Sequence, residues 1–241
     1  MTLQARLFFV GFLMTTQLAW AQRGRWETGG FVGLAGYLGD LNKSDWLSKE
    51  PRIALGATVR YNVAPLWAVR LSYLHGRFSG RDSHYADRAF RNFATTSPAN
   101  EITSQVEFHL WPLTDSRNPR AFKASFTPYL LVGLGLVITN PKPDFENMIV
   151  VKPEFAEGAE IDRNAKYANT HAVVPFGLGI KYRFAPQWTL AAEVGFRLTF
   201  SDYLDGISFA ANPNTNDRYK FSGLTLSYRF NKSATKCMLY Y

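Results

Sequence analysis

The stretch WTLAAEVGFRLTF, residues 188–200, decides the fold class. Apolar side chains occupy every second position from Trp188 to Phe200, and the positions between them carry threonine, alanine, glutamate, glycine and arginine. Because neighbouring side chains of a β-strand point to opposite faces, this period of two predicts a strand with one apolar and one polar face. Its 13 residues exceed the usual strand of a soluble protein and suit a strand that crosses a membrane.

Seven further segments follow the same rule, although glycines blur the two faces of the first. They are WETGGFVGLAGYL (26–38), RIALGATVRYNV (52–63), LWAVRLSYLHGRF (66–78), EITSQVEFHLW (101–111), FTPYLLVGLGLVIT (126–139), HAVVPFGLGIKYRF (171–184) and YKFSGLTLSYRF (219–230). With 188–200 they make eight strands, an even number, as in single-chain bacterial outer-membrane barrels.

The polar face of these strands carries charges, which indicates that it points inward. A soluble barrel would line a ligand cavity with its apolar face, whereas acids and bases can pair inside a narrow barrel whose apolar face meets lipid. We therefore predict an all-β fold: an eight-stranded antiparallel transmembrane β-barrel of the outer-membrane type. Its predicted interior polar network is Glu107, Lys181, Arg183, Glu193, Arg197 and Arg229, and Arg60 and Arg70 share the same face.

The two ends of the chain add a signal and a tail to the barrel. Arg6, the apolar run at 7–14 and the motif AWA at 19–21 predict a signal peptide over 1–21. The barrel then covers 22–230, and a short tail covers 231–241. A single cysteine excludes a disulfide scaffold in an exported chain. The formal net charge is +8, but no Lys/Arg-rich run or zinc-ligand spacing accompanies it, so nucleic acid is not an expected partner.

Two near-identical turns give the orientation. YNVAPLW at 61–67 and YRFAPQW at 182–188 both join strands through a short Ala-Pro turn. Long connections are expected at 79–100, 140–170 and 201–218, a medium one at 39–51, and one of intermediate length at 112–125 on the same side as the Ala-Pro turns. Because outer-membrane barrels have short periplasmic turns and long extracellular loops, both Ala-Pro turns and both termini are expected in the periplasm, next to outer-membrane lipid.

Catalysis has little support in this sequence. The histidines, His75, His84, His109 and His171, lie in no pattern that supplies a nucleophile, a base and an orienting acid. We therefore expect no enzymatic activity, no cofactor and no metal site. A lipid-modifying enzyme is kept as the least favoured of three functional hypotheses, after the two non-enzymatic ones given below. The acid-rich segment at 144–162 is either a solvated loop or a calcium site without EF-hand spacing. Eight strands also leave no room for a pore.

Cations dominate the end expected in the periplasm. A basic face there is predicted from Arg117, Arg120, Lys123, Lys232 and Lys236. Such a face fits an acidic protein surface, or it fits anionic lipid phosphates. In the tail, Cys237 is predicted to form an intermolecular disulfide or another partner contact, the alternatives being a free thiol and a disordered end.

The segment ETGGFVGLAGYLGDLNK, residues 27–43, carries a family resemblance, centred on GDLN at 39–42. It resembles the PorG-like outer-membrane barrels of the Bacteroidetes, which are associated with type IX secretion and gliding. The resemblance implies a barrel that anchors or organises a periplasmic ring of a lipoprotein and its companion, PorK-like and PorN-like. The alternative is a stand-alone surface barrel of the OmpX or OmpA type, whose long loops bind ligands or host surfaces.

Overall fold

The computed structural model describes residues 26–38, 51–81, 94–113, 122–144, 160–162, 169–200 and 218–230. These ranges are nearly all β-strand, apart from turns and one helical turn at 160–162. The strands are β1 (Trp26–Leu38), β2 (Arg52–Asn62), β3 (Trp67–Arg81), β4 (Ala94–His109), β5 (Ser125–Thr139), β6 (Lys142–Asp144), β7 (Thr170–Arg183), β8 (Trp188–Thr199) and β9 (Arg218–Arg229). In this part of the chain no helix is long and apolar enough to cross a membrane.

Eight of these strands close into one antiparallel barrel. Pairing runs from β3 through β2, β1, β9, β8, β7 and β5 to β4, and β4 pairs with β3 to close the ring. Every pair is antiparallel. The three-residue β6 lies outside the ring, against the start of β4. The predicted fold class is therefore confirmed, since closure leaves none of the eight barrel strands with a free edge along its full length.

The register of the barrel fixes the slope of its strands. Following paired residues around the ring from Thr189 passes through Ser227, Gly29, Thr58, Ser72, Thr103, Gly135 and Val173 and returns to β8 at Thr199, 10 residues further along the same strand. A shift of 10 residues over eight strands corresponds to a tilt of about 43°. This tilt lies within the range for outer-membrane barrels.

The strands match the predicted segments closely, with two corrections. The connection expected over 79–100 is shorter, because β3 continues to Arg81 and β4 begins at Ala94. The connection expected over 140–170 contains β6, which pairs with residues 94–96. The stretch from Ala94 to Asn100 lacks an apolar alternation, so the pattern that identified the other strands was absent there.

The two Ala-Pro turns have the same hydrogen bonds. Ala64 and Trp67 exchange backbone hydrogen bonds of 3.1 and 3.2 Å, and Ala185 and Trp188 do so at 3.5 and 3.2 Å. We call the end of the barrel that holds these turns the turn end. The opposite end, where residues 39–51, 82–93, 140–169 and 200–217 connect strands, is the loop end. The repeated sequence thus builds the same tight reversal twice at one end.

The outer surface is apolar, as the alternation predicts. Leu134, Leu178 and Leu130 are 70%, 60% and 53% exposed, although all three lie in strands. Aromatic pairs collect near the turn end: Trp26 with Tyr61, Trp67 with Phe108, Trp111 with Phe126, and Trp188 with Tyr228. A ring of amphipathic aromatic residues marks the level where a barrel meets lipid headgroups.

Candidate functional site

The lumen near the turn end is filled by charged side chains. These side chains occupy inward positions of their strands, which alternate with lipid-facing positions. We call this group the charged cluster: Glu27, Arg60, Arg70, Glu107, Lys181, Arg183, Glu193 and Arg229.

Glu107 is the centre of the charged cluster and is completely buried. Its two carboxylate oxygens accept hydrogen bonds from Arg60 Nε at 2.9 Å and Arg60 Nη2 at 3.2 Å. Lys181 also donates to this carboxylate, and Arg70 Nη1 lies 3.3 Å away. His109 completes the group, with its Nε2 atom 2.8 Å from the Lys181 amine. This single carboxylate therefore pairs with three cations, Arg60, Arg70 and Lys181.

Glu27 holds together the cations nearest the turn end. It accepts hydrogen bonds from Arg60 Nη1, Arg229 Nε and the Asn62 amide, each at 3.0 Å. Arg183 Nη2 lies 3.6 Å from the same carboxylate. The guanidinium of Arg60 thereby bridges Glu27 and Glu107, which joins strands β1, β2 and β4 through a single side chain.

Glu193 extends the charged cluster toward the middle of the barrel. Arg70 donates to both of its oxygens, at 2.6 and 3.2 Å, and Tyr129 donates its hydroxyl at 2.7 Å. Arg70 also donates to the side-chain oxygen of Gln105. The Arg70 guanidinium is therefore held on two sides by acceptors from β4 and β8.

A separate ion pair lies further from the turn end. Arg197 donates to Glu101 through Nε at 3.1 Å and Nη2 at 3.2 Å, and Tyr219 donates to the same carboxylate at 2.7 Å. A Cβ atom on Gly195 would lie 2.5 Å from Arg197 Nη1. Glycine at this position is thus what leaves space for the arginine.

Positive charge exceeds negative charge in the charged cluster. Its five cationic side chains face three carboxylates, a balance that the neutral Glu101–Arg197 pair does not alter. On the described strands, therefore, the half of the lumen near the turn end carries more cationic than anionic side chains.

A cluster of apolar side chains lies in the lumen near the loop end. Phe78 packs against Tyr219 and Phe221, with ring centroids 4.7 and 6.2 Å apart. The buried residues of this apolar cluster are Phe31, Ala35, Ala54, Leu74, Phe78, Ala99, Val137, Val173, Tyr219 and Phe221. A barrel of eight strands is just wide enough for its side chains to fill it. The apolar cluster and the charged cluster therefore occupy the lumen in series.

Chemically, this interior is suited to holding charges in place. The charged groups donate to and accept from one another, and no hydroxyl or thiol lies beside a histidine and an orienting acid in the contacts of the described strands. The same part of the chain brings together no group of three or more His, Cys, Asp or Glu that could hold a metal ion.

All six residues predicted for the interior network lie inside the barrel. Glu107, Lys181, Arg183, Glu193 and Arg229 join the charged cluster, while Arg197 pairs with Glu101 near the middle. Of the predicted basic face, Lys123 is exposed at the turn end. Arg117, Arg120, Lys232, Lys236 and Cys237 lie outside the described residues, as do the predicted signal peptide and tail.

Two acids and two tyrosines of these networks were not predicted from the sequence. Glu27 and Glu101 lie in phase with the inward positions of β1 and β4, so the alternation could have identified them. Tyr129 and Tyr219 gave no such signal, because a tyrosine on the inward face resembles an apolar residue. Their hydroxyl groups donate to Glu193 and Glu101, each on a strand that is not a direct neighbour.

Comparison with known proteins gives a family and a set of similar folds. The sequence matches DUF6089, described as a domain of unknown function, over residues 5–239. No curated protein matches the chain. Neisserial surface protein A is 13% identical, over 85% of this chain and 97% of that chain, with a TM-score of 0.48. Ail of Yersinia pestis is 12% identical, over 86% of this chain and 99% of that chain, with a TM-score of 0.44. OprG of Pseudomonas aeruginosa is 12% identical, over 87% of this chain and 98% of that chain, with a TM-score of 0.42. At this level of identity and superposition, the likeness carries no argument about what the chain binds.

Proposed function

The chain belongs to the DUF6089 family, whose function is unknown, and from its charge pattern we propose that it is a non-enzymatic outer-membrane anchor for a periplasmic protein complex. In this proposal the turn end and both termini face the periplasm, because short turns are periplasmic in barrels of this type. The apolar exterior holds the barrel in the membrane, and the turn end receives the partner.

The observation that carries the proposal is the opposite charge of the two ends. The segments at the turn end, 22–25, 63–66, 110–124, 184–187 and 230–241, contain seven Lys or Arg residues and one acid, Asp115. The segments at the loop end, 39–51, 82–93, 140–169 and 200–217, contain 14 acids and eight cations. The charged cluster adds its excess of cations on the side of the turn end. A surface of one sign favours association with a partner of the opposite sign.

A finer form of the proposal names the complex. The resemblance to PorG-like barrels points to the periplasmic ring of the type IX secretion system, built from PorK-like and PorN-like components. An acidic surface on such a ring would dock against the turn end. The competing explanation, that the cations contact only anionic lipid phosphates, predicts that no protein is held there.

Affinity purification from membranes in mild detergent tests the anchor. Substituting glutamate at Arg117, Arg120 and Lys123 together reverses charge at the turn end. The matched control reverses charge at the loop end, at Arg88, Arg91 and Lys152. We expect the periplasmic partner to be recovered with wild type and with the control, and at least about tenfold less with the turn-end variant. Equal recovery with both variants, or normal secretion after deletion of the gene, would overturn the proposal.

Cys237 offers a covalent test of the same docking. The residue follows the last strand in an oxidising compartment, and Lys236 beside it favours the thiolate that attacks a disulfide. We propose that it forms a mixed disulfide with the partner. Non-reducing electrophoresis of membranes should show a band of higher mass that collapses on reduction and is missing in Cys237→Ser. Only monomer in unreduced wild type would contradict the mixed disulfide.

The second candidate is a surface barrel whose loop end binds an extracellular ligand. The observation in its favour is the length of β3 and β4, which continue past the last β2 pairing at Leu55 and His75 and carry β6 as a third strand. Deleting 82–93 and 145–159 separates the candidates: the anchor keeps its partner, whereas the surface receptor loses its ligand. Partner recovery that fails after these deletions would favour the surface role.

A further inference from the structure

Polar side chains interrupt the apolar outer surface on two adjacent strands. Tyr73, His75 and Arg77 project outward from β3, and Asn100 projects outward from β4 opposite His75. The Tyr73 hydroxyl donates to Asn100 Oδ1 at 2.9 Å, and His75 Nδ1 lies 2.9 Å from the same oxygen. A carboxamide oxygen only accepts, so the hydrogen on Nδ1 is donated to it. These four residues are the outer patch.

The outer patch presents hydrogen-bond donors and positive charge. Two donors already occupy the oxygen of Asn100, which leaves its amide N–H groups and the exposed guanidinium of Arg77 directed to the surroundings. The carboxylates on the eight barrel strands, those of Glu27, Glu101, Glu107 and Glu193, are all buried in the lumen. On the eight barrel strands, therefore, no acid on the outer surface balances Arg77.

The outer patch lies within the lipid-facing surface. His75 pairs with Leu55 on one side and Asn100 pairs with Ile138 on the other, and these apolar neighbours are 54% and 49% exposed. A strand tilted by about 43° rises about 2.4 Å per residue along the barrel axis. Arg77 then lies about 24 Å above Trp67 of the aromatic ring, and the apolar band of such barrels is about 25 Å tall.

We propose that the outer patch binds the phosphate-bearing headgroup of an anionic lipid in the leaflet at the loop end. Arg77 would pair with the phosphate, because a guanidinium presents several donors in a plane that matches its oxygens. The amide of Asn100, held in place by Tyr73 and His75, would donate to the same group. Leu55 and Ile138 flank the outer patch and would contact the acyl chains. This site is independent of any docking at the turn end.

Native mass spectrometry of the full chain in detergent tests the proposal. The probes are lipid A with both phosphates, lipid A from which the phosphates have been removed, and inorganic phosphate alone. The variants are Arg77→Gln, which removes the charge, and Asn100→Asp, which keeps the shape and replaces the donor with an acid. Arg218→Gln is the matched control, because Arg218 is also exposed, at the start of β9 outside the outer patch.

We expect phosphorylated lipid A to remain bound to wild type and to Arg218→Gln. Its apparent affinity should fall about tenfold in Arg77→Gln, and further in Asn100→Asp. The dephosphorylated lipid should bind weakly to all four proteins. Retention of heat-modifiable mobility on gels shows that each variant is folded. Equal affinity in Arg77→Gln and Arg218→Gln, or equal binding of the two lipids, would overturn the proposal. Inorganic phosphate that binds as tightly as the lipid would assign a free-phosphate site instead and would also overturn it.

Discussion

Glu107 and Gln105 are a buried acid and a buried amide that contact the same arginine, Arg70. Both project inward from β4, and they are 0% and 1% exposed. Glu107 contacts Arg60, Arg70 and Lys181, whereas Gln105 accepts hydrogen bonds from Arg70. Because a buried charge is stabilised only by its partners, the carboxylates of Glu107 and Glu27 are each shared among several cations, and that of Glu193 is held by Arg70 and Tyr129.

Exchanging acid and amide at these two positions should have opposite effects. Glu107→Gln leaves three cations without their common carboxylate, so the free energy of unfolding should fall by about 3–5 kcal/mol. Gln105→Glu keeps the shape and adds a carboxylate beside Arg70 in a cluster with excess positive charge, so stability should be unchanged or rise by about 1 kcal/mol. Urea unfolding in detergent micelles measures both. An equal loss in the two variants would contradict the shared-carboxylate arrangement.

The alternation predicted which charged residues point inward but could not predict their partners. Strand parity depends only on neighbouring residues, so Glu193, Arg197 and Arg229 could be assigned to the lumen from the sequence. Two of these residues have partners across the barrel: Arg197 binds Glu101 on β4, and Glu193 binds Arg70 on β3. Arg229 instead binds Glu27 on the neighbouring strand β1. Contacts across the lumen depend on the shear and diameter of the closed ring, which no single strand contains.

At the scale of the strand, glycine sets how closely inward side chains and neighbouring strands approach. On β1 two glycines differ sharply. A Cβ atom on Gly33 would lie 2.3 Å from the backbone oxygen of Ser222 and 2.7 Å from the ring of Phe31, whereas one on Gly30 would have nothing within 4 Å. Gly33 pairs with Gly223 on β9, where a Cβ atom would also meet backbone, at 2.4 Å. Two facing glycines therefore allow this close pairing.

Alanine should be tolerated at Gly30 but not at Gly33. Gly33→Ala should lower the free energy of unfolding by about 1–3 kcal/mol or prevent barrel closure, because the backbone of Ser222 cannot move aside without breaking its pairing. Gly30→Ala should change stability by no more than about 0.5 kcal/mol. The folded fraction after refolding into micelles, read from heat-modifiable mobility on gels, compares them. Normal folding of Gly33→Ala would contradict the close pairing of β1 with β9.

The sequence predicted the strands best where both faces have a distinct character. β7 and β8 alternate along their whole length and were predicted within a residue of their observed bounds. β4 begins seven residues before its predicted start at 101, in a stretch of threonine, serine, proline and alanine. Thr95, Ser97 and Ala99 are buried in the lumen, but small and polar residues on both faces give no apolar alternation. Pairing with β3 therefore determines their conformation more than any local pattern does.

For the molecule as a whole, the lumen consists of two layers in series. The charged cluster fills the half near the turn end, and the apolar cluster fills the half near the loop end. An ion that crosses would have to part the ion pairs around Glu107 and then pass the packed rings of Phe78, Tyr219 and Phe221, beside the closed Glu101–Arg197 pair. Each step costs several kcal/mol, since unpaired charge is unfavourable in both environments.

We therefore expect the barrel to show no steady conductance in planar bilayers. Because the two layers act independently, opening one should leave the other closed. Phe221→Ala, which removes a ring packed against Phe78 and under the Arg197 guanidinium, should remain non-conducting while the charged cluster is intact. Combining Phe221→Ala with Lys181→Ala, which removes a cation of the charged cluster, should produce brief openings if the barrel still folds. Heat-modifiable mobility on gels identifies folded protein before recording. A large, steady conductance in wild type would contradict the two-layer barrier and would make transport the leading function.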